Sequence, residues 1–419
     1  MTTTTTSVQD RVLNIVAEMS QDIKEREALI HDMWVAAVAQ EHLLMLGPAG
    51  TGKSYAVRRM CSHIEGSVYF ESAFDETTDP SQVFGPPDIK AMVEDGKTRR
   101  VTTGMLPEAT HAFCDEFFNA NGPLLHSMQP ILNERVFHNN GIPHEIELRS
   151  MFAGTNKLNA DADQAALWDR IHIRHIVDYV ADRQNQIDLV GDAIARMALV
   201  GRGVSTMVPG QSKTIVTLDE LDQAHKEALA LPVSDPVVAM FFDIRDELRQ
   251  GKAQINISDR RSVEGMAAVM ANAWVRGHNE VKVADLDVLA NMWWTVQEQR
   301  PEARSVILAA TNPGEKAALD LLEDLDKVRD EINAASKPDV DDSRKKRIGV
   351  EQVKNIDRLL AEANEHLTKA QAAGAATTRL VEVIGKANSF KLQIGKDIFG
   401  IDATAQQNLA NAAAVNSPA

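Results

Sequence analysis

Few short segments restrict a fold as strongly as His42-Leu43-Leu44-Met45-Leu46-Gly47-Pro48-Ala49-Gly50-Thr51-Gly52-Lys53-Ser54. Apolar residues, then G-x-x-x-x-G-K-S, then the helical run 55–60 spell a strand, a glycine loop and a helix start. Gly47, Gly50 and Gly52, with Pro48, Ala49 and Thr51 between them, let successive backbone N–H groups curl round a phosphate. The helix start adds a partial positive charge. Lys53 can reach the β- and γ-phosphates, and the Ser54 hydroxyl can ligate Mg2+. A glycine-rich turn without function leaves the lysine unexplained. The stretch therefore implies an α/β nucleotide-binding fold.

The chain's 419 residues allow about two to three domains. A formal net charge of −16 argues against a surface that coats nucleic acid, although a local basic pore stays compatible with it. No apolar run is long enough to cross a bilayer. Met1 is followed by five threonines and Ser7, without the basic region and apolar core of a signal peptide. The two cysteines, Cys61 and Cys114, read as reduced core residues of a cytoplasmic protein. Of the histidines only His172 and His175 form a promising close pair, and no cysteine or carboxylate set supports them as a metal site.

In chain order, residues 1–7 are expected to be disordered. Apolar positions from Val12 to Trp34 recur at helical spacing and predict two helices before the phosphate-loop strand. A strand is expected at 67–71. Residues 89–93 and 97–103 flank Glu94-Asp95-Gly96 as if in a hairpin. Residues 109–116 form a strand ending in Asp115-Glu116, placed 62 residues after Lys53, where a second catalytic strand is expected. Asp115 would hold Mg2+ through water and Glu116 would polarise the attacking water; a solvated strand end is the plain alternative.

A helix at 123–132 leads to a second hairpin, 135–148, whose turn is Asn140-Gly141. The strand 151–156 ends in Asn156, placed to bond the attacking water or the γ-phosphate, unless it only forms a turn. Residues 155–159 almost match the guanine-reading N-K-x-D, but Asn159 stands where aspartate is required. Arg170 and Arg174 lie four apart, as salt-bridge partners or as arginine fingers aimed at a neighbouring subunit.

Residues 178–299 read as almost wholly helical. Ser258 is a helix N-cap followed by Arg260 and Arg261, and Trp293 and Trp294 are core residues. Past Pro301, residues 322–332 and 353–370 step by three and four and predict two antiparallel helices. The tail after Ala403 should fray.

Taken in this order, the motifs resemble the AAA+ ATPases, and within them the MoxR family, most closely its RavA branch. The resemblance spans about residues 25–300 and rests on Gly47–Ser54, Val83-Phe84-Gly85-Pro86, Gly104-Met105-Leu106-Pro107-Glu108-Ala109, Asp115-Glu116, Ile131-Leu132-Asn133-Glu134-Arg135 and Asp169-Arg170. It implies an AAA+ αβα sandwich with a parallel sheet, an all-α lid and, beyond the match, a helical C-terminal extension. The expected domains are a leader with an N-terminal helix (1–24), the core with two pore-facing hairpins (25–182), the lid (183–310) and the extension (311–419).

By the same resemblance, 83–108 is the helix-2 insert and 134–148 the hairpin before sensor 1. Asn156 corresponds to sensor 1 and Arg170 to the arginine finger, with Arg174 second. Arg260 best matches the sensor 2 arginine, with Arg261 as the alternative, since Ser258-Asp259-Arg260-Arg261 replaces the usual S-P-R. The implied activity is ATP hydrolysis with Mg2+ in a homo-oligomeric, hexameric ring that remodels a protein client, often with a von Willebrand factor A-domain (vWA) protein. Two alternatives remain: a McrB-like nucleic-acid motor using Lys97, Arg99 and Arg100, and a nucleotide-gated scaffold with the helical tail as its arm.

Overall fold

The computed structural model describes residues 6–156, 167–200, 214–252, 254–335, 341–372 and 377–400. Two compact units divide the chain, residues 1–307 and 308–419.

The first unit opens with α1 (Val8–Asp22), where the Ser7 hydroxyl accepts from Asp10 N and the Asp10 side chain returns the bond in a capping box. Val12, Ile15 and Met19 form its buried stripe. Helix α2 (Glu27–Ala39) is buried on nearly every side, from Leu29 through Ala39, apart from His31. Such a helix must be enclosed rather than lie on a surface. Next come β1 (Leu43–Leu46), α3 (Lys53–Cys61), β2 (Ile64–Glu65) and β3 (Tyr69–Ala73).

The insert that follows departs from expectation. It holds α4 (Pro80–Phe84) and α5 (Ile89–Asp95), so residues 89–93 are helical and not one arm of a hairpin. Asp88 caps α5 by accepting from Ala91 N, and Gly96, at φ 65°, closes it. These local capping bonds outweigh the β-branched character of Ile89 and Val93. Antiparallel pairing survives only as a bridge between Pro87 and Arg100.

The core continues with β4 (His111–Asp115), α6 (Gly122–Glu134), the hairpin β5 (Val136–Asn139) and β6 (Ile142–Glu145), then β7 (Ser150–Thr155) and β8 (Ile173–Ile176). Five strands form one sheet in the order β3-β4-β7-β1-β8, every neighbouring pair parallel. Strand β1 is central and fully buried, as befits a strand covered on both faces. The chain leaves β1 for the far edge at β3, works inward through β4 and β7, and crosses to β8 on the other side. A crevice therefore opens above the carboxyl end of β1, where such sheets bind ligands.

A mostly helical stretch follows: α7 (Arg183–Val200), β9 (Val216–Thr217), α8 (Leu218–Leu229), α9 (Asp235–Gln250) and α10 (Asp259–Val275), then a 3-10 segment Val283–Asn291. Ser258 caps α10 as expected, accepting from Arg261 N. Trp293 and Trp294 are fully buried. Helix α10 packs on α2 and α8 and so joins the helical stretch to the core. Helix α11 (Arg300–Thr311) ends the run.

In the second unit, α12 (Pro313–Ala335), α13 (Asp342–Ala372) and α14 (Thr378–Phe399) share a core that includes Leu321, Leu325, Ile356, Leu359, Leu380 and Val383. The sequence reading counted two helices; α14 is the third. An added Cβ at Gly349, near the start of α13, would lie 3.0 Å from Ile398 and 3.1 Å from Phe399, near the end of α14. At Gly314 it would meet Ala370 at 3.4 Å, so successive helices run antiparallel. The expected frayed tail and residues 1–5 lie outside the described residues.

Candidate nucleotide site

The phosphate loop connects β1 to α3 with its glycines where the backbone demands them. Gly50 and Gly52 have φ of 79° and 85°, the left-handed region, and an added Cβ there would meet nothing within 4 Å. Conformation, not crowding, selects glycine at both, and the inner side of the loop stays open. Gly47 differs: a Cβ would fall 1.9 Å from the Val177 carbonyl oxygen. The exits of β1 and β8 pass too closely for any side chain, and Val177 N donates to Leu46 O at 2.7 Å.

Lys53 begins α3 and is 6% exposed. Its Nζ donates to the carbonyls of Gly47 and Pro48 at 2.8 and 3.0 Å, so it folds back on the loop it would serve. Burial lowers its pKa, while the charges of Asp115 and Glu116 pull the other way. Both carboxylates thus lie within electrostatic reach of the lysine. Ser54 Oγ accepts from Arg58 at 3.4 Å.

Asp115 ends β4 with its carboxylate laid against β7: a Cβ on Gly154 would come 2.2 Å from Asp115 Oδ1. Glu116 follows at φ 50°, a strained value for a non-glycine residue. Its Oε2 accepts from Asn119 Nδ2 at 3.1 Å, and Asn119 N donates to Glu116 O at 2.8 Å. Asn156 is exposed at the end of β7. Lys53, Ser54, Asp115, Glu116 and Asn156 are thereby gathered at the carboxyl ends of β1, β4 and β7. Ser54 and Asp115 are hard oxygen donors of the kind Mg2+ takes, and the close Asp115–Gly154 approach is what holds one of them in place.

Beside the loop lies a cavity of about 470 Å³, lined by Ile23, Arg26, Gly52, Tyr55, Tyr179 and Leu189 among others. Its size and mostly apolar wall suit a nucleoside. Arg26 is buried and donates to the carbonyls of Asp178 (2.5 Å) and Thr51 (3.3 Å). Partial burial of the Glu25 carboxyl opposes ionisation, yet bonds from Ala181 N, Asn185 Nδ2 and Asp182 N hold it below its usual range. Glu25 thereby ties the segment before α2 to the start of α7. Neither residue is legible in advance, because the Glu25 partners and the Asp178 carbonyl that Arg26 meets lie more than 150 positions away. Asn119, three residues after Glu116, was within local reach and was overlooked.

The arginines scatter. Arg174 is 1% exposed, stacked 4.9 Å from Trp168 and 5.4 Å from Trp294, and donates to the carbonyls of Ile171, Trp168 and Trp294. So enclosed, it is a core cation and has no route to a second copy without unpacking. Arg260 reaches Asn133 and Glu264. Asn133 lies two residues from Arg135, which contacts His42 at the amino end of β1, opposite the phosphate loop. Arg260 therefore does not join the loop of its own chain. Arg261 is buried against the carbonyls of Met292 (2.6 Å), Asn256 and Trp294. Arg170 sits in the turn before β8, its N–H donating to Leu167 O at 2.9 Å.

His172 and His175 do have carboxylate partners that the sequence reading had not found: Glu41 at 2.8 Å and Asp32 at 2.6 Å. Of the N-K-x-D-like stretch, residues 157–159 lie outside the described residues.

Comparison with known proteins agrees with this geometry. Residues 10–200 match the family described as the MoxR domain in the MoxR-vWA-beta-propeller ternary systems, and residues 236–307 match an AAA lid domain. The chain thus carries a MoxR-like domain followed by an AAA lid domain. Two uncharacterized proteins of Methanocaldococcus jannaschii, MJ0079 and MJ0812, are 27% and 29% identical over 325 residues, 78% and 76% of this chain and 81% of each of theirs. Structural protein ORF618 of Acidianus two-tailed virus is 26% identical over 49% of this chain and 32% of its own length. A solved structure of a candidate ATPase from Cytophaga hutchinsonii shares the fold, with a TM-score of 0.57 at 13% identity over 73% of this chain and 95% of that one.

Proposed function

We propose that the chain hydrolyses ATP in a ring of identical copies and uses the cycle to remodel a protein client, with a vWA-domain protein as partner. The observation that carries the reading is the gathering of Lys53, Ser54, Asp115, Glu116 and Asn156 round the open inner side of one glycine loop. Lys53 would leave the Gly47 and Pro48 carbonyls for the β- and γ-phosphates. Ser54 and Asp115 would hold Mg2+, which neutralises phosphate charge when bound. Glu116 would take the proton of the attacking water, and Asn156 would orient that water or the γ-phosphate.

Among the described residues, the three arginines Arg174, Arg260 and Arg261 are all engaged away from this group, which supports a site completed by a neighbour. Arg170 is the candidate; an arginine supplied in trans contributes a factor of about 10³–10⁵ to such a rate. Mixing Arg170→Ala with Glu116→Gln protein tests the point. Each is inactive alone, and a shared site restores turnover in the mixture because some interfaces then hold both intact residues. No rescue at any ratio would sink the shared site.

A protein client fits the insert better than nucleic acid does. Ile89, Met92 and Val93 of α5 and Ile142 of the hairpin are exposed apolar side chains. The segment after α5 is tied to the hairpin, since Asn140 accepts from Thr98 and Asn139 accepts from Arg100 N. Of the basic residues that could grip phosphates, Arg99 pairs with Asp88 at 2.8 Å and Arg100 donates to Gly85 O at 2.8 Å. The vWA partner is drawn from the description of the matching family; a RavA-type assembly has no comparable support.

A further inference from the structure

The sequence leads one to look for a basic lid residue at the phosphates, yet Arg260 and Arg261 both point elsewhere. A different lid residue shares a cavity with the loop. A second cavity, about 460 Å³, opens between the ends of β1, β7 and β8 and is lined by Gly47, Pro48, Ala49, Asn156, Asp178 and Gln297. Gln297 begins the 3-10 turn Gln297–Gln299 between Trp294 and α11. It is exposed, and its side-chain amide makes no hydrogen bond within the described residues.

The turn that presents it is fixed from three sides. Arg174 of β8 and Arg261 of α10 both donate to the Trp294 carbonyl, three residues before Gln297. Gln299 Oε1 accepts from Thr295 N at 2.9 Å and from Val296 N at 3.3 Å, closing the turn on itself. Arg300, the next residue, is attracted to Asp178 and Asp32 of the core. An unpaired amide on a pinned turn, lining one cavity with Asn156 and the phosphate loop, is placed to donate to an oxyanion.

We propose that Gln297 is the lid's contact to the γ-phosphate in the same chain, and that Arg174 and Arg261 are positioning residues that hold its turn through Trp294. This rests on the nucleotide reading of the site and adds to it. A neutral amide there reads the presence of the terminal phosphate without cancelling its charge. The positive charge needed in hydrolysis is thereby left to Lys53 and the neighbouring copy.

The test is calorimetric titration of ATP and of ADP, with Mg2+, into Glu116→Gln protein with and without Gln297→Ala. Gln297 is exposed, so the substitution leaves the fold intact. The expected result is ATP affinity reduced about five- to tenfold and ADP affinity unchanged, with Gln297→Asn intermediate. Equal loss for both nucleotides, or loss for neither, would overturn the assignment. Lys53→Ala separates the two levels of the argument: it should weaken both nucleotides. A Glu116→Gln protein that binds neither nucleotide would instead bring down the nucleotide reading, and this inference with it.

Discussion

Asn119 donates from Nδ2 to Glu116 Oε2 across 3.1 Å, and the glutamate so held has a backbone φ of 50°. A residue kept in the left-handed region costs of order 1–3 kcal/mol, which surrounding contacts must offset. The Asn119 N–H to Glu116 carbonyl bond and the Glu116 N–H to Asp115 Oδ1 bond are two such contacts. Strain concentrated on the carboxylate next to the phosphate loop marks a group being aimed.

Glu116→Gln should therefore abolish turnover while leaving ATP bound. General-base assistance is worth about 10²–10⁴ in rate, so kcat should fall by at least 100-fold with KM nearly unchanged. Asn119→Ala should lower kcat by about tenfold, again without raising KM. Steady-state phosphate release checks both. An Asn119→Ala defect confined to KM would show that the asparagine binds nucleotide and does not position the base.

Gly154→Ala isolates the metal-holding side chain. Its new Cβ would stand 2.2 Å from Asp115 Oδ1 and 3.2 Å from Phe113, both nearer than packed atoms tolerate. Asp115 is the element that can yield, because Phe113 is fully buried. Hydrolysis should drop by more than tenfold, recover partly at raised Mg2+, and leave the melting temperature within a few degrees. A large melting shift with normal Mg2+ dependence would mean that the sheet gives way instead.

Where one chain segment carries its own reason, the sequence was sufficient. The run from β1 to α3 reads directly, since four buried apolar residues, three glycines and a lysine allow one local structure. Strand β4 with Asp115-Glu116 and the Ser258 cap of α10 were equally local. Residues 89–93 look like a hairpin arm because the turn-like Glu94-Asp95-Gly96 follows them, and a cap by Asp88 with a glycine stop makes them a helix instead. The site's long-range parts were hidden. Gln297 shares a cavity with loop residues about 250 positions away, and nothing near it in sequence announces an oxyanion. Arg174 looks like a candidate finger until the fold closes Trp168 and Trp294 around it.

Acid should unfold the core through His111. This histidine is fully buried on β4, its Nδ1 bonded to Ser67 Oγ at 3.0 Å, and its Nε2 has no partner. Burial, helped by the charge of Arg149, lowers its pKa to about 4. The unfolded chain takes up this proton near pH 6.5 and the folded chain only near 4. Stability from keeping it neutral is therefore complete above pH 6.5 and is lost as pH falls toward 4. The shift corresponds to about 3 kcal/mol. Urea unfolding of wild type and His111→Gln across this window should show a steeper decline for wild type. Parallel curves would remove His111 from the account.

Arg174 supplies a last test, because a guanidinium sealed between two indoles can be worth much or little depending on what replaces it. Its partners are carbonyl oxygens, those of Ile171, Trp168 and Trp294, and neighbouring Arg261 adds repulsion. Arg174→Ala opens a void between Trp168 and Trp294 and strands those carbonyls, a combination that destabilises by about 3–5 kcal/mol. Arg174→Met fills the same volume without the donors, and its loss should be smaller, about 1–3 kcal/mol, since removing a buried charge offsets part of the damage. Both variants remove one of the two guanidinium donors to the Trp294 carbonyl that steadies the Gln297 turn. The methionine variant, still folded, should therefore lose affinity for ATP more than for ADP. If Arg174→Met kept the ratio of the two affinities at its wild-type value, Arg174 would be a packing residue of the core and no part of how the lid reads the nucleotide.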